Sequence, residues 1–182
     1  YFGCLVGRYV GWIRIGALAM AVQPGGEPRR YQLTRNAGTG HIHGGNSGFD
    51  KRIWAAKASE QDGDAVLTLR FRSVEGEEGY PGNVDVEMEY RLTARNELAM
   101  RYQARTDRTT PFTMTNHTYF NLGAFAGTVL DHEVQILSDR YLAADESGVP
   151  TAEEVSVAGT DCDFRQPRLL KEAFHGMPLG FE

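Results

Sequence analysis

The chain has 182 residues, of which 41% are apolar and 24% are charged, and its formal net charge is −5. This profile is typical of a globular protein, and the length is sufficient to bury a core without disulfide bonds. The acidic balance argues against nucleic-acid binding, which needs a basic face, and no apolar stretch approaches the length of a membrane span.

The two cysteines, Cys4 and Cys162, form neither a CxxC motif nor another metal-binding spacing. They predict two free thiols in a reducing compartment, and hence a cytoplasmic protein. The sequence begins at Tyr1 rather than at Met and ends at Glu182 after a loop-like stretch. We therefore expect sequence to be missing on both sides. Nothing in the sequence indicates an oligomeric state.

Alternating apolar and polar residues predict β-strands, beginning with residues 67–72. The Gly- and Pro-containing stretch 75–82 that follows is predicted to be a loop, with Glu77 and Glu78 in a solvated acidic turn. Val84–Leu92 and then 98–105 repeat the alternation on either side of a polar turn. These two segments predict an antiparallel hairpin.

Further strands are predicted at 111–119, 132–137, 141–144 and 154–157, and the best helix candidate is one short turn near 169–174. No internal repeat and no linker is evident. Many short strands separated by turn residues favour a β-sandwich or a barrel, which we treat as one domain.

The segment 111–119 separates polar from apolar residues on its two faces. One face carries Thr113, Thr115, His117 and Tyr119. The other carries Phe112, Met114 and Asn116, and it should point into the core. A polar stripe with an aromatic ring suits a sugar, and an imidazole with a pKa of about 6.5 can exchange protons near neutral pH. Periodicity alone leaves open that His117 is a structural histidine that bonds a neighbouring strand.

A second segment, 41–54, reads HIHGGNSGFDKRIW. Its glycines allow tight turns and a close approach of the backbone to a ligand. On a strand, His41 and His43 would share a face and could hold a metal ion, as in cupins, although the glutamate that follows in cupins is absent here. His43 could equally be a loop histidine that caps backbone groups.

These two segments resemble the signatures of the aldose 1-epimerases (galactose mutarotases). Residues 43–45 (HGG), 48–52 (GFDKR) and Trp54 match one signature, and residues 116–122 (NHTYFNL) closely match the NHSYFNL signature. Other matching stretches follow in the family's order: GRY at 7–9, EEGYPG at 77–82, DH at 131–132, PT at 150–151 and GTDCDFRQP at 159–167. The resemblance therefore extends along nearly the whole chain.

The resemblance implies a large, mostly antiparallel β-supersandwich with a sugar cleft on one face. Residues 1–182 would form a single domain of this kind, truncated at both ends. The implied activity is interconversion of the α and β anomers of a hexose such as glucose or galactose, by acid- and base-catalysed ring opening and reclosure. The implied partner is a small aldose, with no metal and no organic cofactor.

The resemblance also implies residue roles. His117 would be the general acid that protonates the ring oxygen, His43 would bind the sugar and steady its charge, and Tyr119 would contact the substrate. The general base would be a glutamate beyond residue 182. Glu182 itself stands where the family has a sugar-binding aspartate.

One departure concerns substrate binding. Where the family has an Asn-Arg pair, this sequence reads Gly11-Trp12, so that Trp12 either stacks on the sugar or packs in the core. This change and the missing base leave two alternatives to the epimerase. One is a carbohydrate-binding β-sandwich without catalysis, and a less favoured one is a cupin-like metal enzyme built on His41 and His43.

Overall fold

The computed structural model describes residues 1–21, 25–124, 126–146 and 148–173. The chain divides into two compact units, Tyr1–Thr118 and Tyr119–Glu182, which are described separately. A single domain over 1–182 stays a prediction. Cys4 and Cys162 are both free cysteines, as predicted.

The described part of the first unit contains ten β-strands, most of them short. They are β1 (Leu5–Val6), β2 (Trp12–Ile13), β3 (Ala17–Met20), β4 (Arg29–Gln32), β5 (His41–Ile42), β6 (Ala55–Gln61), β7 (Asp64–Ser73), β8 (Val84–Leu92), β9 (Leu98–Thr106) and β10 (Thr115–Asn116). Three 3-10 turns lie between them, at Arg14–Gly16, Phe49–Lys51 and Glu77–Gly79.

The largest sheet is antiparallel, with the strand order β6-β7-β8-β9. Its strands alternate in polarity, so that one face is apolar and the other carries ion pairs between neighbouring strands. Arg70 lies 2.6 Å from Glu87, and Arg72 lies 2.9 Å from Asp85. The predicted strand at 67–72 and the hairpin of β8 and β9 are confirmed.

The apolar face of this sheet carries the core of the unit. Its centre is formed by Phe49, Val84 and Val86, against which four partly buried residues pack: Trp54, Phe71, Phe112 and Met114. Burying a side chain such as Phe49 contributes roughly 1.5–3 kcal/mol. The GFDKR-W segment is thus partly a packing motif, and the predicted inward direction of Phe112 and Met114 is confirmed.

Three two-stranded sheets pair β1 with β10, β2 with β5, and β3 with β4. The strand predicted over 111–119 is confirmed only at Thr115–Asn116. Pro111 has no N–H to donate to a ladder. After β10, the N–H of Thr118 donates to the side-chain Oδ1 of Asn116 over 2.9 Å rather than to a strand, and this local bond turns the chain.

A buried arginine joins the start of the chain to the loop after β7. Arg8 is 2% exposed, and its guanidinium donates to the side chain and carbonyl of Ser73 and to the carbonyls of Val74, Pro81 and Gly82. A buried charge is tolerated only when its hydrogen-bonding capacity is used in this way. The loop 73–82 is therefore held firmly against Arg8.

The second unit contains four short strands in its described part: β11 (Glu133–Val134), β12 (Arg140–Ala144), β13 (Pro150–Ser156) and β14 (Arg168–Leu169). β11 pairs with β14, and β12 forms an antiparallel hairpin with β13. The prediction at 141–144 is confirmed, whereas the strands predicted at 132–137 and 154–157 differ in extent. A 3-10 turn spans Val129–Asp131, and α1 begins at Leu170 and is described as far as Ala173.

An ion-pair cluster in this unit involves the motif at 159–167. The guanidinium of Arg165 lies 2.7 Å from Asp163 and 3.1 Å from Asp139, and its hydrogen bonds lower the pKa of Asp163 to about 2. Within the described ranges, no helix has both the length and the apolar character needed to cross a membrane.

Candidate active site

The two predicted site histidines of the first unit lie side by side. His43 directly follows β5, and His117 directly follows β10. Their ring centroids are 5.3 Å apart, and the planes meet at 79°. Seventy-four positions of sequence separate them, so this pairing results from the fold.

The backbone of His43 is fixed by reciprocal bonds to Gly11. The N–H of His43 donates to the carbonyl of Gly11 over 3.2 Å, and the N–H of Gly11 donates to Nδ1 of His43 over 3.1 Å. An amide N–H can only donate, so Nδ1 accepts and carries no proton. The neutral ring therefore has its proton on Nε2.

The surroundings of His43 disfavour its charged form. Burial is the largest cause that lowers the pKa of His43, and the neighbouring His117 lowers it further, while Asp50 acts in the opposite direction. Protonation of Nδ1 would also break the bond from Gly11. His43 is thus held as a neutral imidazole whose remaining donor is Nε2–H.

His117 is held through its backbone and through the side chain that precedes it. Its N–H donates to the carbonyl of Cys4 over 2.8 Å. The side-chain amide of Asn116 donates to the hydroxyl of Tyr90 over 2.7 Å, and its backbone N–H donates to the hydroxyl of Tyr102 over 3.2 Å. Two tyrosines of the main sheet therefore fix the segment that presents His117.

A third ring, Tyr1, completes the aromatic group. Its centroid lies 4.8 Å from that of His43, edge to face, and 5.9 Å from that of His117, nearly parallel. Lys51 Nζ lies 5.4 Å from the same ring and pairs with the buried carboxylate of Asp50. Burial and Asp50 raise the pKa of Tyr1. Sequence reasoning missed Tyr1 because it lies outside every recognised motif.

Glycine is required at position 44 by the close approach of two chain segments. A Cβ on Gly44 would lie 1.6 Å from the carbonyl oxygen of Gly7, and the φ of Gly44 is +90°. The N–H of Phe49 donates to that same carbonyl over 3.0 Å. The sequence predicted that these glycines let the backbone approach a ligand. At Gly44 the close approach is instead to the backbone of Gly7.

The acidic turn Glu77–Gly79 is bound to other parts of the protein. Glu78 accepts hydrogen bonds from the N–H groups of Asn46, over 3.1 Å, and Ser47, over 2.8 Å. Glu77 lies 2.6 Å from Arg52 and accepts a hydrogen bond from the hydroxyl of Ser73. The prediction of a solvated acidic turn is wrong, because both carboxylates bind loops far away in the sequence.

His41 does not act with His43. It is fully buried, with Nδ1 2.6 Å from the carbonyl oxygen of Thr34 and Nε2 2.6 Å from the hydroxyl of Tyr80. β5 ends at Ile42, so the two histidines do not share a strand face, and both ring nitrogens of His41 are already used. The cupin-like hypothesis is therefore wrong in its geometry. Within the described residues, no three His, Cys, Asp or Glu side chains form a group that could hold a metal ion.

Three further site residues were predicted from the sequence, namely Trp12, Tyr119 and Glu182. Trp12 is half-buried in β2 opposite Ile42, and its ring lies against Gly40, whose Cβ would be 3.0 Å away. Tyr119 is the first residue of the second unit and is 63% exposed. Glu182 lies outside the described residues. The roles of all three stay predictions.

Known proteins that resemble this chain belong to the family that the two sequence motifs indicate. The family model described as aldose 1-epimerase matches residues 1–180. The chain is 36% identical to the aldose 1-epimerase of Escherichia coli (strain K12) over 174 residues, which are 96% of this chain and 48% of that protein. It is 40% identical to the galactose mutarotase of Bos taurus over 168 residues, which are 92% of this chain and 46% of that protein.

Solved structures support the same assignment. The crystal structure of galactose 1-epimerase from Lactobacillus acidophilus NCFM aligns with a TM-score of 0.84 at 34% identity, covering 96% of this chain and 50% of that one. An aldose epimerase homologue from C. elegans aligns with a TM-score of 0.80 at 28% identity. The predicted fold class is confirmed. The chain spans about half the length of the relatives it matches, and it belongs to the aldose 1-epimerase family.

Proposed function

We propose that the protein to which this chain belongs interconverts the α and β anomers of a hexose such as glucose or galactose. The observation that carries the proposal is the His43–His117 pair, in which two imidazoles lie in contact and Nδ1 of His43 accepts the N–H of Gly11. One ring is held neutral by a backbone donor. Two imidazoles in contact, one of them held neutral, can supply a hydrogen-bond donor and a general acid to the same substrate.

The chemistry requires one proton donor and one proton acceptor. The donor protonates the ring oxygen while the base removes the proton from the anomeric hydroxyl, so the C1–O5 bond breaks and a free aldehyde forms. Rotation about C1–C2 and reversal of both proton transfers close the ring as the other anomer. Proton transfer by positioned groups contributes about 10²–10⁴-fold to the rate.

His117 is the proposed general acid. His43 is unsuited to that role because protonation of its Nδ1 would disrupt the bond from Gly11 and place a charge in a site that disfavours it. Its Nε2–H instead donates a hydrogen bond to a sugar oxygen and steadies the charge that develops there. The family resemblance assigns the base to a glutamate that is not among these 182 residues.

Further contacts with the sugar belong to the same proposal. Tyr119 contacts the substrate, Trp12 is a candidate stacking ring, and Glu182 is a candidate hydroxyl ligand. We propose no metal and no organic cofactor. A cytoplasmic location is also proposed, and it rests on the cysteine usage alone.

Polarimetry of freshly dissolved α-D-glucose and α-D-galactose tests the proposal. The samples are the 182-residue chain and any longer protein that contains it, each beside its His117→Ala variant. We expect the complete protein to accelerate the approach to the equilibrium rotation, and His117→Ala to remove that acceleration. A well-folded complete protein that binds aldoses without accelerating the change would instead support the non-catalytic carbohydrate-binding alternative.

A further inference from the structure

We propose that Glu78 is a positioning residue for His43, acting through the glycine-rich loop His43–Gly48 rather than by contact with the sugar. The inference rests on the proposed function of His43. It adds a structural role for the carboxylate of Glu78, which takes no part in the proton transfers.

The carboxylate of Glu78 occupies a small nest of backbone amides. Oε1 accepts from the N–H of Ser47 over 2.8 Å, and Oε2 accepts from the N–H of Asn46 over 3.1 Å. Successive N–H groups that converge in this way bind anions. Hydrogen bonds to a charged acceptor are about twice as strong as neutral ones. One end of the loop is therefore clamped by a single side chain.

Gly45 leaves the space for this clamp. A Cβ on Gly45 would lie 2.1 Å from Oε2 of Glu78, so any side chain at position 45 would displace the carboxylate. The backbone of Glu78 has a φ of +51°, which is unfavourable for glutamate. The N–H of Thr34 donates to the carbonyl of Glu78 over 3.0 Å, so the clamp is itself anchored.

The clamp reaches His43 through a tight turn. The N–H of Gly45 donates to the carbonyl of Ile42 over 3.1 Å, which makes His43 and Gly44 the central residues of a β-turn. Both have positive φ, +52° and +90°, as in a type I′ turn. Left-handed backbone at His43 costs free energy, so the turn keeps its shape only if its ends are fixed. Glu78 fixes the end that follows Gly45.

Amide hydrogen exchange of the purified protein tests the connection without reference to activity. Three amides report on it: Asn46 and Ser47, which contact Glu78 directly, and Gly11, which donates to the ring of His43. In Glu78→Gln we expect faster exchange at all three, with unchanged exchange at Met88 in the main sheet. If Asn46 and Ser47 exchange faster while Gly11 stays protected, Glu78 fixes the loop only locally and the proposal is overturned.

A double-mutant cycle gives the second readout. Glu78→Gln and Gly45→Ala remove the same contact from its two sides, so each should lower kcat/KM by about 2–10-fold, no more than the loss of the one neutral hydrogen bond that His43 donates. The double variant should be little worse than either single variant. Glu75→Gln, at an exposed position beside Arg108, and Gly63→Ala, at a glycine with positive φ in open space, are the matched controls. If the loss of kcat/KM in the double variant equalled the product of the two single losses, the proposal would be contradicted.

These readouts separate the two claims. A wild-type protein without anomerase activity contradicts the proposed function, while the exchange of Gly11 still decides whether Glu78 positions His43. Conversely, an active enzyme whose kcat/KM is unchanged in Glu78→Gln keeps the proposed function and loses the positioning role.

Discussion

The backbone N–H of Gly11 and Nδ1 of His43, 3.1 Å apart, fix which nitrogen of that ring can carry a proton. Gly11 stands at the position where the family has an asparagine, immediately before Trp12. The bond uses only backbone atoms of Gly11, so its formation does not depend on the side chain at that position. The replacement of the family's asparagine by Gly11 therefore does not change the tautomer of His43.

The first prediction concerns the titration of His43. Its folded-state pKa lies below the ordinary value of about 6.5, because of burial and the neighbouring His117. Between these two values the unfolded chain binds more protons than the folded protein. The contribution of His43 to stability is therefore complete above about pH 6.5 and is lost as the pH falls through the folded-state pKa.

Nuclear magnetic resonance of the histidine side chains measures this directly. We expect the His43 resonance to titrate with a midpoint below 6.5 and to report the Nε2–H tautomer at higher pH. Among the groups that face His43 are Tyr1, Asp50 and His117. A midpoint above 6.5, or the Nδ1–H tautomer, would contradict the assignment.

The second prediction concerns the buried pair of His41 and Tyr80. Tyr80→Phe removes the hydroxyl that donates to Nε2 of His41 over 2.6 Å and leaves a buried acceptor unsatisfied. We expect the free energy of unfolding to fall by about 1–3 kcal/mol, measured by chemical denaturation. Tyr141→Phe, at an exposed position of β12, should change it little.

The third prediction concerns the approach of Gly44 to Gly7. Gly44→Ala places a methyl group against the carbonyl of Gly7 and should lower the midpoint of denaturation sharply, because rigid backbone cannot move aside. Gly63→Ala has a similar positive φ without a neighbour within 4 Å, so it measures the conformational cost alone, about 1–3 kcal/mol. Equal losses in the two variants would show that the close approach does not form.

The fourth prediction concerns the support of His117. Tyr90→Phe removes the hydroxyl that accepts from the Asn116 amide over 2.7 Å. We expect a stability loss of about 0.5–1.5 kcal/mol, and faster exchange of the Thr118 amide, which depends on the Asn116 side chain. Tyr31→Phe on β4 is the control. An unchanged Thr118 amide in Tyr90→Phe would show that Tyr90 does not fix this turn.

The sequence predicted the main hairpin and the inward face of Phe112 and Met114, because strict alternation reports burial directly. The predicted strand at 111–119 was too long. Periodicity cannot show that the N–H of Thr118 donates to the side chain of Asn116 instead of to a neighbouring strand. His43 and His117 were found through motifs, and only the fold could show that their rings touch.

The same limit explains the carboxylates that sequence reasoning misjudged. Glu77 and Glu78 stand in a Gly-rich stretch, which is typical of an exposed turn. Their partners, Arg52, Asn46 and Ser47, lie more than twenty positions away in the sequence. The pattern of neighbouring residues cannot predict such long-range contacts. The positive φ of Glu78 could not be predicted either, because glutamate rarely adopts it.

The central claim is that His117 transfers the proton while His43 binds, and a comparison of kcat and KM for two variants tests it most directly. Anomerisation rates are measured over a range of aldose concentrations for wild type, His117→Ala and His43→Asn, the latter chosen because asparagine tolerates positive φ. We predict a loss of about 10²–10⁴-fold in kcat for His117→Ala. For His43→Asn we predict a KM raised by about 2–10-fold, as for one neutral hydrogen bond. The reverse pattern, with kcat retained in His117→Ala and abolished in His43→Asn, would contradict the account.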